Sequence, residues 1–241
     1  MNVTLRILHF ERVGSTMDLA HALAESGAEA GTMVVATEQL QGRGSRGRTW
    51  HSPPGGLWLS ALFRPDSVAG LEVLSVRVGL ALAGVLDAWT PMPAGLKWPN
   101  DLMLDGRKLG GILCEARWQG GTLGWVAVGI GLNVRNSMGP ELRDSAISLA
   151  EVVPSIHIED VLPPVAARIA GVDLGSQRLS TVELKEFAAR SWLEGREIRQ
   201  PLSGVVTGLD EDGALRVRTA GGSHVSLRHG SIELAGATNI R

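Results

Sequence analysis

Between Gly95 and Val134 the chain runs through strand-like segments in quick succession: Gly95 to Trp98, Leu102 to Leu104, Lys108 to Trp118 and Thr122 to Val134. Asp105-Gly106 and Gln119-Gly120-Gly121 form the hairpin turns between them. Such turns need the left-handed backbone that glycine adopts without strain. Strands joined this closely pair antiparallel, because a parallel connection needs a long crossover. The middle of the chain is therefore an antiparallel sheet.

The flanking sequence sets what covers that sheet. Leu5 to Phe10 reads as a first strand, and Ser15 or Thr16 as the N-cap of a helix running to about Ser26 and ended by Gly27. Thr32 to Glu38 and Gly56 to Phe63 read as strands. Val68 to Trp89 predicts one long helix, apolar all round and so packed on the sheet. Helices are predicted over Ile158 to Ala170 and Thr181 to Leu193, but Pro163 and Pro164 argue against the first or restrict it to the residues after them. Past Gly195 the pattern changes to short strands: Gly204 to Leu209, Ala214 to Thr219, Val225 to Leu227 and Ile232 to Leu234. The fold class is α+β: a mixed, largely antiparallel sheet with helices over residues 1–194, and a small SH3-like β-barrel over 195–241.

Composition narrows the function. A chain of 241 residues with 44% hydrophobic and 20% charged residues is of ordinary globular make-up. Its formal net charge of −2 argues against a nucleic-acid binder, whose surface should be clearly basic. Of 23 basic residues only Lys97, Lys108 and Lys185 are lysines, and two of them lie in one short segment. Where arginine is the default cation, a retained lysine hints at a need for a compact ammonium. Cys114 is the sole cysteine and sits in an apolar run, so it reads as an inert thiol. The scattered histidines offer no zinc spacing. No signal-peptide pattern or membrane-length apolar run is visible, which predicts a cytoplasmic protein that engages no membrane.

Residues 42 to 50 read Gly-Arg-Gly-Ser-Arg-Gly-Arg-Thr-Trp. Gly42, Gly44 and Gly47 leave the backbone free to wrap a ligand, and Arg43, Arg46 and Arg48 put fixed charge on it. The segment buries no apolar surface, so a packed core gains nothing from it, whereas a polyoxygen anion gains much. The glycines also match dinucleotide and P-loop patterns. Both need a helix directly afterwards, and Trp50-His51-Ser52-Pro53-Pro54 cannot start one. A solvated arginine–glycine linker that touches RNA is the bland alternative.

Polar or glycine residues gather at other strand ends too: Gly14-Ser15-Thr16, Gln39, Lys97-Trp98-Pro99-Asn100-Asp101, Gly106-Arg107-Lys108-Leu109-Gly110-Gly111 and Gly129-Ile130-Gly131-Leu132-Asn133. In this order, and over roughly residues 13 to 135, the set resembles the biotin protein ligases. The small C-terminal part is similar as well. The resemblance implies a catalytic domain like that of class II aminoacyl-tRNA synthetases. It implies a ligase-only member without a DNA-binding domain, since the catalytic part begins almost at Met1.

The resemblance further implies an ATP-dependent ligase that makes biotinyl-5′-AMP with magnesium. It then passes biotin to a lysine of a biotin carboxyl carrier protein, of acetyl-CoA carboxylase or a related carboxylase. Biotin would be held by Ser15, Thr16, Gln39, Arg43, Lys108, Gly110 and Gly111, and the nucleotide by Gly42, Arg43, Gly44, Arg46, Gly47, Arg48, Trp50, Lys97 and Asn133. Lys97, Asp101, Arg43 and Lys108 would carry the chemistry, with Asp101 the candidate magnesium ligand or the base for the acceptor lysine. Each also has a structural reading. Ser15 and Thr16 can cap a helix, Lys108 can be a hairpin-edge charge, and Asp101 and Asn133 can be turn residues. Trp50 can be a surface aromatic, and Trp98 reads as core. A lipoate–protein ligase, an RNA- or DNA-binding module and a non-catalytic biotin binder are the competing functions. A homodimer through sheet edges is left open. Two positions depart from the family: Ser45 stands where arginine is common, and Met17 where asparagine is.

Overall fold

A computed structural model of the chain describes residues 5–235. Residues 1–4 and 236–241, the outer ends of the two expected domains, lie outside the described residues. The first sheet has seven strands: β1 (Arg6–Val13), β2 (Thr32–Gln39), β3 (Leu57–Phe63), β4 (Gly95–Lys97), β5 (Asp101–Leu104), β6 (Arg107–Gln119) and β7 (Thr122–Leu132). Their spatial order is β1-β2-β3-β7-β6-β5-β4. Only β1 and β2 run parallel, joined through helix α1 (Thr16–Glu25); every other neighbouring pair is antiparallel, as the short turns require.

Helix α2 (Leu74–Leu86) covers one face of this sheet. It is shorter than the apolar run predicts. Residues 68 to 73 turn instead, with Leu71 N–H bonded to the Val68 carbonyl, and Gly70 packs so close to the Leu174 carbonyl that a Cβ would lie 2.5 Å from it. Helix α3 (Ile158–Ala170) spans the predicted range and passes through both prolines, which neither abolish it nor restrict it to the residues after them. The prolines cannot bond the carbonyls of Glu159 and Asp160, and both of those residues are exposed, so water can satisfy them. Helix α4 (Thr181–Arg190) starts at Ser180, whose hydroxyl and partner Glu183 form a reciprocal capping box.

Beyond it, β8 (Glu197–Gln200), β9 (Gly204–Leu209), β10 (Leu215–Arg218), β11 (His224–Leu227) and β12 (Glu233–Leu234) form a five-stranded antiparallel sheet in the order β11-β10-β9-β8-β12. The fold is thus α+β with a small second sheet of SH3-like kind. Ile198, Val206, Leu215 and Val217 of that sheet belong to the same buried cluster as Leu82, Leu102 and Val128 of the first part. Trp98 is core, as read from sequence, and its indole N–H donates to the Gly213 carbonyl at 2.9 Å.

Candidate functional site

The sheet's open face and the glycine–arginine loop enclose a cavity of about 630 Å³. That volume lies within the range of small-molecule sites. Its floor is made by missing side chains. Gly111 and Gly131 face each other across β6 and β7, with Gly129 two residues along β7 on the same face. The Trp50 indole lies flat on this pair: a Cβ at Gly131 would sit 2.5 Å from Trp50 Nε1, and one at Gly111 would sit 3.1 Å from the ring. Met17 fills the space over Gly129, where a Cβ would be 2.8 Å from its sulfur. Gly110 points the other way, toward the Gly131 carbonyl, Leu102 and Leu132, so it serves strand packing and does not line the cavity.

The loop itself is a small hairpin. Trp50 N–H bonds to the Gly42 carbonyl and Gly44 N–H to the Arg48 carbonyl, at 2.8 Å each, with Gly47 in left-handed conformation at φ 72°. Gly42 is forced by packing, since a Cβ would meet the Trp50 carbonyl at 2.4 Å. No helix follows, which leaves the dinucleotide and P-loop patterns without their anion site. The arginines part company. Arg43 and Arg48 line the cavity, Arg48 steadied by bonds from Nε and Nη2 to the Ser45 carbonyl and hydroxyl. Arg46 is exposed and donates to the Ser231 hydroxyl near β12, so it does not line the cavity.

One end of the cavity is lined by Thr16 and Gln39, which belong to a part-buried hydrogen-bonded chain. Ser60 Oγ donates to Thr16 Oγ, Thr16 N–H and Oγ donate to Gln39 Oε1, Gln39 Nε2 donates to Ser52 Oγ, and Ser52 Oγ donates to the Trp50 carbonyl. Ser15 occupies the N-cap position of α1 yet makes no capping bond; its buried hydroxyl has no partner in the protein. Such an orphan costs stability unless a ligand or water meets it. Ser52 and Ser60 were not among the sequence candidates. Ser60 carried a signal, a lone hydroxyl in the otherwise apolar run Leu57 to Phe63.

The other end is cationic. Lys97 and Asp101 are cross-strand partners of β4 and β5, and Lys108 Nζ lies 2.6 Å from Asp101 Oδ1 and 5.0 Å from the Trp50 ring centre. Burial pushes the Lys97 ammonium below the ordinary lysine range; the Asp101 carboxylate opposes this, while Lys108, Arg48 and Arg196 reinforce it. Trp192, unflagged by the sequence, is flanked by Lys97 at 5.1 Å and Arg196 at 3.9 Å from its ring centre. Asn133 is buried, its amide donating to the Ile147 carbonyl and accepting from Asn136. Among the described residues no group of three or more His, Cys, Asp or Glu side chains could hold a metal ion. The carboxylates lining the cavity are Asp101, already ion-paired with Lys108, and Asp144, a sparse set that fits a magnesium ion carried in on nucleotide phosphates. Burial pushes the Cys114 thiol up to about 12, which disqualifies it as a nucleophile.

The comparisons agree with this geometry. The Biotin/lipoate A/B protein ligase family matches residues 9–133, and the Biotin protein ligase C terminal domain matches residues 195–234. The Biotin--[acetyl-CoA-carboxylase] ligase of Paracoccus denitrificans is 31% identical over 235 residues, covering 89% of this chain and 95% of that protein. The Bifunctional ligase/repressor BirA of Bacillus subtilis is 35% identical over 150 residues, 60% of this chain; the chain spans under half of that relative, 46%. The structure of the biotin protein ligase from Aquifex aeolicus in complex with biotin and ATP superposes with a TM-score of 0.81 at 28% identity, covering 95% of this chain and 98% of that one. With more than half its length matched, the chain belongs to the biotin/lipoate A/B protein ligase family.

Proposed function

We propose that this protein is a biotin–protein ligase: it joins biotin to AMP and then to a lysine of a biotin carboxyl carrier domain. The observation that carries this reading is one cavity with two chemically distinct ends. Arg48, Lys97 and Lys108 line one, and Thr16 and Gln39 of the hydrogen-bonded chain line the other.

The first step brings two anions together. Biotin's carboxylate attacks the α-phosphorus of ATP, and pyrophosphate leaves. Fixed cations that need no reorganisation stabilise the charge that gathers there. Lys97 and Arg48 suit the phosphate, and Lys108 suits the carboxylate. The hydroxyl and amide chain at the far end suits the ureido group of biotin, with the orphan Ser15 hydroxyl beside it as a donor without a protein partner. A magnesium ion arriving with the nucleotide would rest on Asp101 and neutralise phosphate charge. In the second step the acceptor lysine's amine attacks the acyl carbon and AMP leaves with the anhydride electrons. No covalent enzyme intermediate is needed. A cytoplasmic setting with an acetyl-CoA carboxylase carrier as partner is part of the proposal; among the described residues no helix is long and apolar enough to cross a membrane.

The test is direct. Biotin-dependent exchange of pyrophosphate into ATP, followed by labelling of an apo carrier domain, is expected. Exchange with lipoate in place of biotin would redirect the reading within the family, and exchange with neither overturns it.

Ser45 gives a separate expectation. Its hydroxyl steadies Arg48 but brings no charge to the anhydride. An added charge-assisted hydrogen bond is worth roughly 1.5–3 kcal/mol. Ser45→Arg should therefore slow biotinyl-AMP dissociation by roughly 10–150-fold. Equal off-rates in a chase experiment end the idea.

A further inference from the structure

Behind the glycine–arginine loop lies a polar cluster that the steps above do not use. Arg43 Nη2 sits 2.9 Å from Glu115 Oε2 and 3.1 Å from Asp18 Oδ1, while its buried Nε has no partner in the protein. Glu115 stands on β6 and is reached from three sides. Besides Arg43, its Oε2 meets Arg117 Nη2 at 3.3 Å and His21 Nε2 at 2.9 Å. His21, on α1, is only 6% exposed. Its other ring nitrogen, Nδ1, lies 2.9 Å from Trp125 Nε1 on β7, and Trp125 is itself 2% exposed.

These contacts fix the direction of every hydrogen bond. An indole N–H can only donate, so Nδ1 of His21 is the acceptor and carries no proton. The neutral ring then bears its proton on Nε2 and donates it to Glu115. Trp125 thus sets the His21 tautomer, His21 orients the carboxylate, and the carboxylate grips one nitrogen of the loop arginine. The indole is anchored in turn by the Arg64 guanidinium, 5.8 Å from its ring centre and bonded to the carbonyls of Ala24, Ala28 and Gly124.

We infer that Glu115, oriented by His21 and Trp125, is a positioning residue for adenylation that acts through Arg43. The inference rests on the proposed ligase activity. A guanidinium on a glycine-flanked hairpin would otherwise sample many rotamers, and long side chains lose up to about 2 kcal/mol of entropy when ordered. Glu115 and Asp18 restrain it before any ligand arrives. The unpartnered Nε is left to meet the anion. Glu115 is well suited to this, because it stands on β6, paired with β7, rather than on the loop, and groups on rigid elements hold geometry best.

The experiment uses the full chain and biotin-dependent pyrophosphate exchange. Glu115→Gln keeps the shape and removes the charge. Trp125→Phe keeps the packing and removes only the donor to His21. Misplacing a catalytic group by about 1 Å can cost roughly 100-fold. We expect Glu115→Gln to lose about 10- to 100-fold in kcat with a smaller change in the KM for biotin, and Trp125→Phe to lose about 3- to 10-fold. In an Arg43→Lys background the Glu115→Gln loss should shrink to under about twofold, because contacting residues that act as a unit are not additive. A purely structural role would give the same fractional loss in both backgrounds, together with a lowered Tm, and would overturn the inference. An active parent whose Glu115→Gln variant matches it overturns this role alone. A parent with no exchange overturns the ligase reading and this role with it.

Discussion

Replacing Lys97 by alanine should lower biotinyl-adenylate formation by about 10²–10³-fold, the cost of removing one preorganised charge donor from a developing anion. The ammonium is placed by structure on every side. β4 presents it opposite Asp101, Trp192 covers it, and Lys108 and Arg48 crowd it with like charge. It is therefore poorly solvated and poorly neutralised, which is the condition in which an incoming phosphate gains most. Lys97→Arg, which keeps the charge and changes the shape, should recover little, because a planar fork cannot occupy the ammonium's place beside the Trp192 ring. The depressed proton affinity also sets a pH dependence. Burial lowers the proton affinity of Lys97 in the free protein, and the negative charge of a bound phosphate would raise it again. Affinity for ATP should thus begin to fall at a lower pH than an exposed lysine would give, and the Lys97→Ala variant should lack that fall. Titration of ATP affinity against pH in both proteins measures it; parallel curves refute it.

Arg77→Ala should destabilise the fold by about 1–3 kcal/mol, the cost of removing a buried guanidinium from hydrogen-bond partners that water reaches only in part. Arg77 sits in the middle of α2 and is 5% exposed. Its Nε donates to Glu183 Oε1 at 2.8 Å, and its remaining nitrogens donate to the carbonyls of Asp173, Ser176 and Arg178. One side chain therefore fastens the loop after α3 and the start of α4 onto α2. Removing it takes one donor from Glu183, which keeps its bonds from Ser180, and from three carbonyls of exposed residues. Urea unfolding followed by far-UV circular dichroism reads the change; a midpoint within error of the parent's would show that the pairing contributes nothing net. Arg77→Met, which keeps the buried stem, separates lost packing from lost polarity.

The legibility of the sequence tracked the range of each interaction. Turn glycines and alternation are local, so the hairpins from Gly95 to Leu132 and four strands of the second sheet were legible to within a residue or two at most ends, whereas β8 was not read. The overlong reading of α2 and the doubt that the prolines cast on α3 had non-local causes. The packing of Gly70 on Leu174 and the solvent at the carbonyls that Pro163 and Pro164 leave unbonded depend on tertiary placement. The site divided in the same way. Motif residues such as Lys97, Lys108, Gln39 and Arg43 come together in one cavity, yet motif spacing could not tell that Gly110 turns away from it into the strand packing and that Arg46 points to the Ser231 hydroxyl. Trp192, Ser52, His21 and Glu115 belong to no local pattern and are brought in by the sheet. Arg77 did carry a signal, a lone cation in an apolar helix, which meant that partners were waiting in another segment.

The Trp50 indole resting on Gly111 and Gly131 bears on ligand choice. The sheet's bare backbone there is already shielded from water before any guest arrives. A flat guest that takes the same floor must displace a resident ring of similar size and polarity, so its net gain is only the margin between two stackings. Bulk and flatness alone win little entry in such a contest; a guest that also brings negative charge to the neighbouring lysines takes the place.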